Sequence, residues 1–340
     1  MARRILCVRL SAIGDVINTL PAVSALRRSE PEARIGFVVE DKAKDVVVGH
    51  PDIDEVFVFP KKRWRRALKT PWGFFRALRE ARAYVCRIRS HGYDVALDFQ
   101  GTLKGALHSW LSGAATRVGF SRGHSYECNQ LFSTVQVTPP SRQMHRVEKF
   151  LCLLEPLGIK TAEPPYRLPE DAQARAKVDA FLRSIRANGY VVFHPGTSLI
   201  GAEKRWPLQR YGELARRVVD ELKLGVVVTW GPDEIGMARD VCRLSGDRAV
   251  LSVRSETILV VAELLRRSKM YVGGDTGPMH LAAACGTPCV ALFGPKDPTL
   301  YRPYGPGHVV ISKGVPSSMD EIQVDEVFRA MRSRLEGSRP

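Results

Sequence analysis

The feature that most constrains this chain is an alternation, repeated twice, of short β-branched runs with helical patterns, the sequence signature of a parallel sheet flanked by helices. In the first half, Arg4 to Leu10, Arg34 to Val39, Glu55 to Phe59, Asp94 to Phe99 and Arg117 to Phe120 read as strands. Val95-Ala96-Leu97 shows little apolar/polar alternation, as expected of a strand buried on both faces. Between the strands the pattern is mostly helical. Arg76 to Arg89 carries Leu78, Tyr84, Val85 and Ile88 among arginines, an amphipathic surface helix. Val137-Thr138-Pro139-Pro140-Ser141 interrupts the pattern, a helix is expected over Gln143 to Leu157, and Glu163 to Pro169 interrupts it again. The alternation then restarts, with strands expected at Tyr190 to His194, Gly225 to Thr229, Ala249 to Ser252, Lys269 to Val272 and Pro288 to Phe293, and a closing helix from Met319 to Leu335. The simplest architecture is α/β: two successive doubly wound units, 1–165 and 166–340, each near the usual domain size. Such sheets hold ligands outside the carboxyl ends of their strands, so the residues just after each strand are the ones to inspect.

Composition narrows the class of function. No apolar run reaches the roughly 18 residues of a spanning helix, and the basic start Met1-Ala2-Arg3-Arg4 leads into a strand-like run interrupted by Arg9, with no cleavage site. Seven scattered cysteines suit a reducing compartment, and Cys285 and Cys289 lack the partners of a zinc site. The formal net charge of +15 favours anionic partners, and its densest cluster is Lys61-Lys62-Arg63-Trp64-Arg65-Arg66. No RNP-type aromatic pattern, zinc-finger spacing or helix-turn-helix signal accompanies it, so no nucleic-acid partner is expected.

Four loops could carry chemistry. In Met270 to Gly286 a strand runs into Gly273-Gly274-Asp275-Thr276-Gly277, and Pro278 fits the first turn of a helix, so backbone N–H groups and the helix dipole offer an anion site. The bland alternative is a tight turn capped by Thr276. No Gly-Lys-Ser/Thr follows, so it is not a P-loop, and the third glycine of the dinucleotide fingerprint is missing. Asp275-Thr276-Gly277 spells the aspartic-protease triplet, but a helix follows where an all-β setting is needed. After the first strand, Ser11 to Pro21 places Asp15 where a carboxylate could accept a proton from a hydroxyl, or merely favour a helix start. His194-Pro195-Gly196-Thr197-Ser198 with Lys204-Arg205-Trp206-Pro207 could neutralise a diphosphate leaving group. Trp230-Gly231-Pro232-Asp233-Glu234 offers an acid for ribose hydroxyls or for a helix start.

Together these loops resemble the ADP-heptose:lipopolysaccharide heptosyltransferases, glycosyltransferase family 9, over almost the whole chain; the pieces are Ser11 to Pro21, His194 to Ser198 with Lys204 to Pro207, Trp230-Gly231, and Gly273 to His280 continuing to Phe293-Gly294-Pro295. The resemblance implies a GT-B fold, two Rossmann-like domains facing a cleft, with an acceptor-binding N-terminal domain and a donor-binding C-terminal one. It implies an inverting transfer of heptose from ADP-heptose to a Kdo-containing acceptor, with no required metal. Carried over by residue, Asp15 would be the general base and Lys204 would assist departure of the donor phosphates. Thr197, Ser198, Lys204, Glu234 (or its neighbour Asp233), Asp275, Thr276, Gly277 and His280 would bind the donor. Lys61, Arg63 and Arg66 would meet acceptor acid groups while Trp64 anchors their loop. A cytoplasmic enzyme peripheral to the inner membrane follows, its partners the nucleotide sugar and an anionic lipid-linked saccharide. Leu199-Ile200 departs from what is expected of heptosyltransferase I and leaves the sugar open: another nucleotide sugar or acceptor, or a GT-B-fold sugar-nucleotide epimerase, are the alternatives.

Overall fold

The computed structural model describes residues 2–160, 165–185, 189–197 and 199–337. The chain divides into two units, Met1–Glu170 and Asp171–Pro340.

In the first unit, six strands form one parallel sheet: β1 (Arg4–Val8), β2 (Arg34–Glu40), β3 (Glu55–Phe59), β4 (Val95–Asp98), β5 (Thr116–Phe120) and β6 (Val135–Val137), in the order β3-β2-β1-β4-β5-β6. The helices are α1 (Ile13–Ser29), α2 (Lys61–Ala67), α3 (Pro71–Ser90), α4 (Leu103–Leu111) and α5 (Arg146–Leu151), the last continued by a 3₁₀ turn over Cys152–Leu157. The central strands carry uninterrupted apolar runs because both faces are covered: Ile5, Leu6, Cys7 and Val8 are fully buried. Gly36 on β2 is required by packing, since a Cβ there would lie 2.0 Å from the Tyr93 hydroxyl.

In the second unit, β7 (Tyr190–His194), β8 (Gly225–Val228), β9 (Ala249–Leu251), β10 (Met270–Gly274), β11 (Cys289–Phe293) and β12 (Val309–Ser312) form a second parallel sheet, ordered β12-β11-β10-β7-β8-β9. Its helices are α6 (Ala172–Ile185), α7 (Leu208–Arg217), α8 (Ile235–Leu244), α9 (Ile258–Arg267), α10 (Gly277–Ala284), α11 (Pro298–Tyr301) and α12 (Val324–Glu336). Trp206 and Tyr211 anchor the core, ring to edge at 4.9 Å, and the Trp206 indole N–H donates to the Ile322 carbonyl at 2.9 Å.

Counted within its own unit, each sheet follows the same order, 3-2-1-4-5-6, so each has one point where strand order reverses: between β1 and β4, and between β7 and β10. Two strands of the sheets, β6 and β12, are absent from the sequence-based expectation. Both are short edge strands, β6 abutting Thr138-Pro139-Pro140 and β12 following Gly305 and Gly307, so turn chemistry hides them. The Lys61–Arg66 run, expected as a loop, is helical. Among the described residues no helix is long and apolar enough to cross a membrane.

Candidate active site

Both reversal points carry polar side chains that a purely structural sheet would not need. In the second unit, α10 starts just beyond β10, with Thr276 at its N-cap position in extended conformation (φ −143°, ψ 167°) and Pro278 in the first turn. The Thr276 side chain makes no cap hydrogen bond to the helix, unlike the capping alternative; its hydroxyl leans on the Gly274 carbonyl at 3.4 Å and the Tyr271 hydroxyl at 3.5 Å. Amino ends of helices point their first N–H groups outward and bear partial positive charge.

Beside that end sit three titratable groups in a row. The Lys204 ammonium donates to Asp275 Oδ2 at 2.6 Å, and His280 Nε2 lies 3.6 Å from Asp275 Oδ1. All three side chains are largely buried. Burial raises the Asp275 carboxyl, but the His280 and Lys204 contacts outweigh it and hold the group below the ordinary carboxylate range. Asp275 thus fixes a lysine and an imidazole at the mouth of a helix dipole, an arrangement suited to an anion.

After β7, the Thr197 hydroxyl donates to the Gly201 carbonyl at 2.7 Å, and Arg205 Nη2 donates to the Thr197 carbonyl at 3.0 Å, closing the loop that leads to Lys204. Ser198 lies outside the described residues. Glu234, at the N-cap position of α8, turns its carboxylate back to accept from the Gly231 N–H at 2.7 Å and lies 3.4 Å from His194 Nε2. Asp233 is exposed by contrast. Gly196 and Gly231 leave room for that carboxylate: a Cβ on either would stand 2.2 Å or 2.8 Å from Glu234 Oε2. Desolvation lowers the His194 pKa, partly offset by Glu234 and Thr229.

In the first unit, Asp15 occupies the third position of α1, where it accepts from the Ala12 N–H at 3.4 Å, so the helix-start role is real. It is also ion-paired with Arg9, and Arg146 Nε is 3.9 Å from its other oxygen. Arg9 is a buried cation whose Nη1 donates to the Phe99 carbonyl at 2.6 Å and whose guanidinium sits 5.2 Å from the Phe150 ring centre. Lys149 on α5 adds a third cation; desolvation, with Arg146 and Arg9 nearby, lowers its pKa to about 8. Behind Arg9, buried Asp98 accepts from Asn129 Nδ2 at 2.6 Å and from the Gln100 and Gly101 N–H groups at 2.9 and 3.2 Å. Desolvation nevertheless raises its carboxyl to about 6. Gln100 Oε1 accepts from the Leu10 and Ser11 N–H groups, tying the ends of β4 and β1 together.

Sequence reasoning named Asp15 but missed Arg9, Asp98, Asn129, Arg146 and Lys149. Arg9 and Asp98 left a signal, each a charge closing an otherwise apolar strand. Of the three basic residues assigned to an acceptor, Lys61 is 3.4 Å from Glu40, Arg63 is 2.8 Å from Glu80, and Arg66 is exposed. Trp64 anchors α2, its indole N–H donating to Glu80 at 2.9 Å and its ring edge-on to Phe59 at 5.2 Å. No group of three or more His, Cys, Asp or Glu side chains is gathered as a metal site among the described residues.

A family model described as glycosyltransferase family 9 (heptosyltransferase) matches residues 81–327. The chain belongs to glycosyltransferase family 9. Lipopolysaccharide heptosyltransferase 1 of Pseudomonas aeruginosa is 30% identical over 319 residues, covering 92% of this chain and 84% of the relative. Escherichia coli heptosyltransferase WaaC, solved with ADP-2-deoxy-2-fluoro heptose, superposes with a TM-score of 0.78 at 25% identity, covering 97% of this chain and 99% of that one. A glycosyl transferase family 9 structure from Veillonella parvula reaches a TM-score of 0.84 at 23% identity over 99% of this chain and 98% of its own. This family 9 chain is therefore a glycosyltransferase of the heptosyltransferase kind in lipopolysaccharide biosynthesis, built on the α/β GT-B fold class.

Proposed function

We propose that this family 9 enzyme transfers heptose from ADP-heptose to a Kdo-containing lipopolysaccharide inner-core acceptor with inversion at the anomeric carbon. The observation that carries the reading is the Lys204–Asp275–His280 row beside the open end of α10. In the proposed step the acceptor oxygen attacks the anomeric carbon as the bond from that carbon to the diphosphate oxygen breaks. ADP leaves, and the hydroxyl proton passes to Asp15. Lys204, the Thr276-Gly277 amino end of α10 and Thr197, with Ser198, hold the donor phosphates, where cations and fixed dipoles stabilise the charge that develops on the leaving group. Asp275 positions Lys204 and His280 toward phosphate and sugar, and Glu234 takes the ribose hydroxyls. Arg9 and Arg146 orient the Asp15 carboxylate. Lys61, Arg63 and Arg66 meet the acid groups of the acceptor, and the enzyme works at the cytoplasmic face of the inner membrane.

Relatives named as lipopolysaccharide heptosyltransferases, and the fluorinated ADP-heptose analogue with which WaaC was solved, support this choice of sugar. The test is ADP release from ADP-heptose by the purified protein, with and without a Kdo-lipid acceptor. Acceptor-dependent release, with a heptosylated product by mass spectrometry, is expected. No release with any Kdo-lipid would refute the substrate pair, and release without acceptor would redirect the assignment to an epimerase-like reaction.

A further inference from the structure

Eleven of the thirty residues from Lys61 to Ser90 are Lys or Arg and one, Glu80, is acidic, so α2 and α3 with their connecting turn carry +10 of the chain's formal +15. Only part of that charge is spent on the fold. Lys61, Arg63, Arg76 and Arg87 pair with Glu40, Glu80 and Glu55. Lys62, Arg65, Arg66, Lys69, Arg79 and Arg82 are exposed and have no acidic partner among the described residues.

The same segment exposes large apolar side chains that a water-facing surface does not need. Trp72 is 87% exposed, Phe75 64%, Leu78 58% and Phe74 48%, with Leu68 beside them in the turn after α2. The helix is docked by its other side, through Ala77, Glu80, Tyr84 and Ile88. At 100° per residue, Trp72, Phe75, Leu78, Arg79 and Arg82 fall on the opposite side, aromatics in the first turns and arginines after them. A large exposed apolar patch rimmed by unpaired cations matches a surface that is apolar beneath and anionic on top.

We propose that the α2–α3 segment is a membrane-interface anchor, with Trp72, Phe74, Phe75 and Leu78 entering the headgroup region of an anionic bilayer and Lys62, Arg65, Lys69, Arg79 and Arg82 pairing with its phosphates. The proposal deepens the reading of the acceptor as lipid-linked and rests on it for its purpose. Charge complementarity selects the occupant: lipid phosphates answer the five cations left without an acidic partner and without a part in acceptor binding, and Trp and Phe favour the boundary between headgroup and acyl chain.

The experiment is co-flotation of the full chain with vesicles of phosphatidylcholine alone or with phosphatidylglycerol, comparing wild type with W72S/F74S/F75S. Fluorescence with brominated lipids follows, using W72F as the control that removes the reporting indole. Wild type is expected to bind the anionic vesicles, the triple variant at least about tenfold less tightly, and bromolipid quenching to be clearly weaker in W72F than in wild type. Thermal stabilisation by ADP should be equal in all three proteins, showing that the variants fold. Equal binding by wild type and triple variant, absence of quenching in wild type, or binding to a single-stranded RNA oligonucleotide in place of vesicles would each overturn the anchor. If vesicle binding behaves as stated while ADP-heptose is not turned over, the functional reading falls and the anchor stands.

Discussion

Asp98→Asn tests the electrostatics behind the candidate site of the first unit. The Asp98 carboxyl is raised from 3.8 to about 6 by desolvation, against the hydrogen bonds from Asn129, Gly101 and Gln100 and the charge of Arg9. A carboxyl whose folded pKa lies above its unfolded value keeps a proton that the unfolded chain has lost, so stability falls as pH rises between the two values. About two units correspond to about 3 kcal/mol. Below about pH 3 both states are protonated and the penalty vanishes; above about pH 7 both are ionised and it is complete. Asparagine carries no such term, so wild-type stability minus variant stability should fall by about 3 kcal/mol from about pH 3 to about pH 7 and then level off. The two units need not unfold together, so the readout is native-state hydrogen exchange at the amides of β1 and β4, corrected for intrinsic exchange rates. Taking the difference between the two proteins cancels every other titrating group. A difference that stays flat over that range would refute the claim that Asp98 is held by burial against its own charge.

Other outcomes follow from the same geometry. Asp15→Asn should lower kcat by about 10²-fold or more with donor KM preserved; steady-state kinetics with unchanged kcat would move the base elsewhere. Lys204→Ala should raise the Kd for ADP and leave Asp275 without its cation, and unaltered calorimetric titration would remove Lys204 from the phosphate site. Gly196→Ala forces the Glu234 carboxylate aside, because the new Cβ would stand 2.2 Å from Oε2. The flexible end of that side chain can yield, so stability should change by about 1 kcal/mol from the lost Gly231 hydrogen bond, while ADP affinity drops if Glu234 holds the ribose; equal ADP titrations for both proteins would free Glu234 from that role.

The sheets were legible because buried parallel strands are continuous apolar runs, and ten of them stand out in the sequence for that reason. The edge strands β6 and β12 were hidden, since an edge needs neither length nor apolarity. The helical state of Lys61–Ala67 was hidden too: six basic or aromatic side chains in a row show no apolar stripe, and what holds α2 is Trp64 against Phe59 and Glu80, contacts made by tertiary packing. The candidate site shows the same division. Lys204 and Asp275 could each be nominated from their loops, but their pairing across 71 residues is a product of strand order. Arg9 and Asp98 belong to neighbouring strands only because β1 and β4 adjoin, which no local pattern states.

That the two halves share one strand order has a consequence for how such an enzyme diversifies. Each half has its own reversal of strand order, between its own first and fourth strands, so on the proposed reading substitutions that retune what one half accepts need not disturb the other. A chimera exchanging residues 171–340 between family 9 members should therefore inherit its choice of sugar nucleotide from one parent and its choice of alcohol from the other.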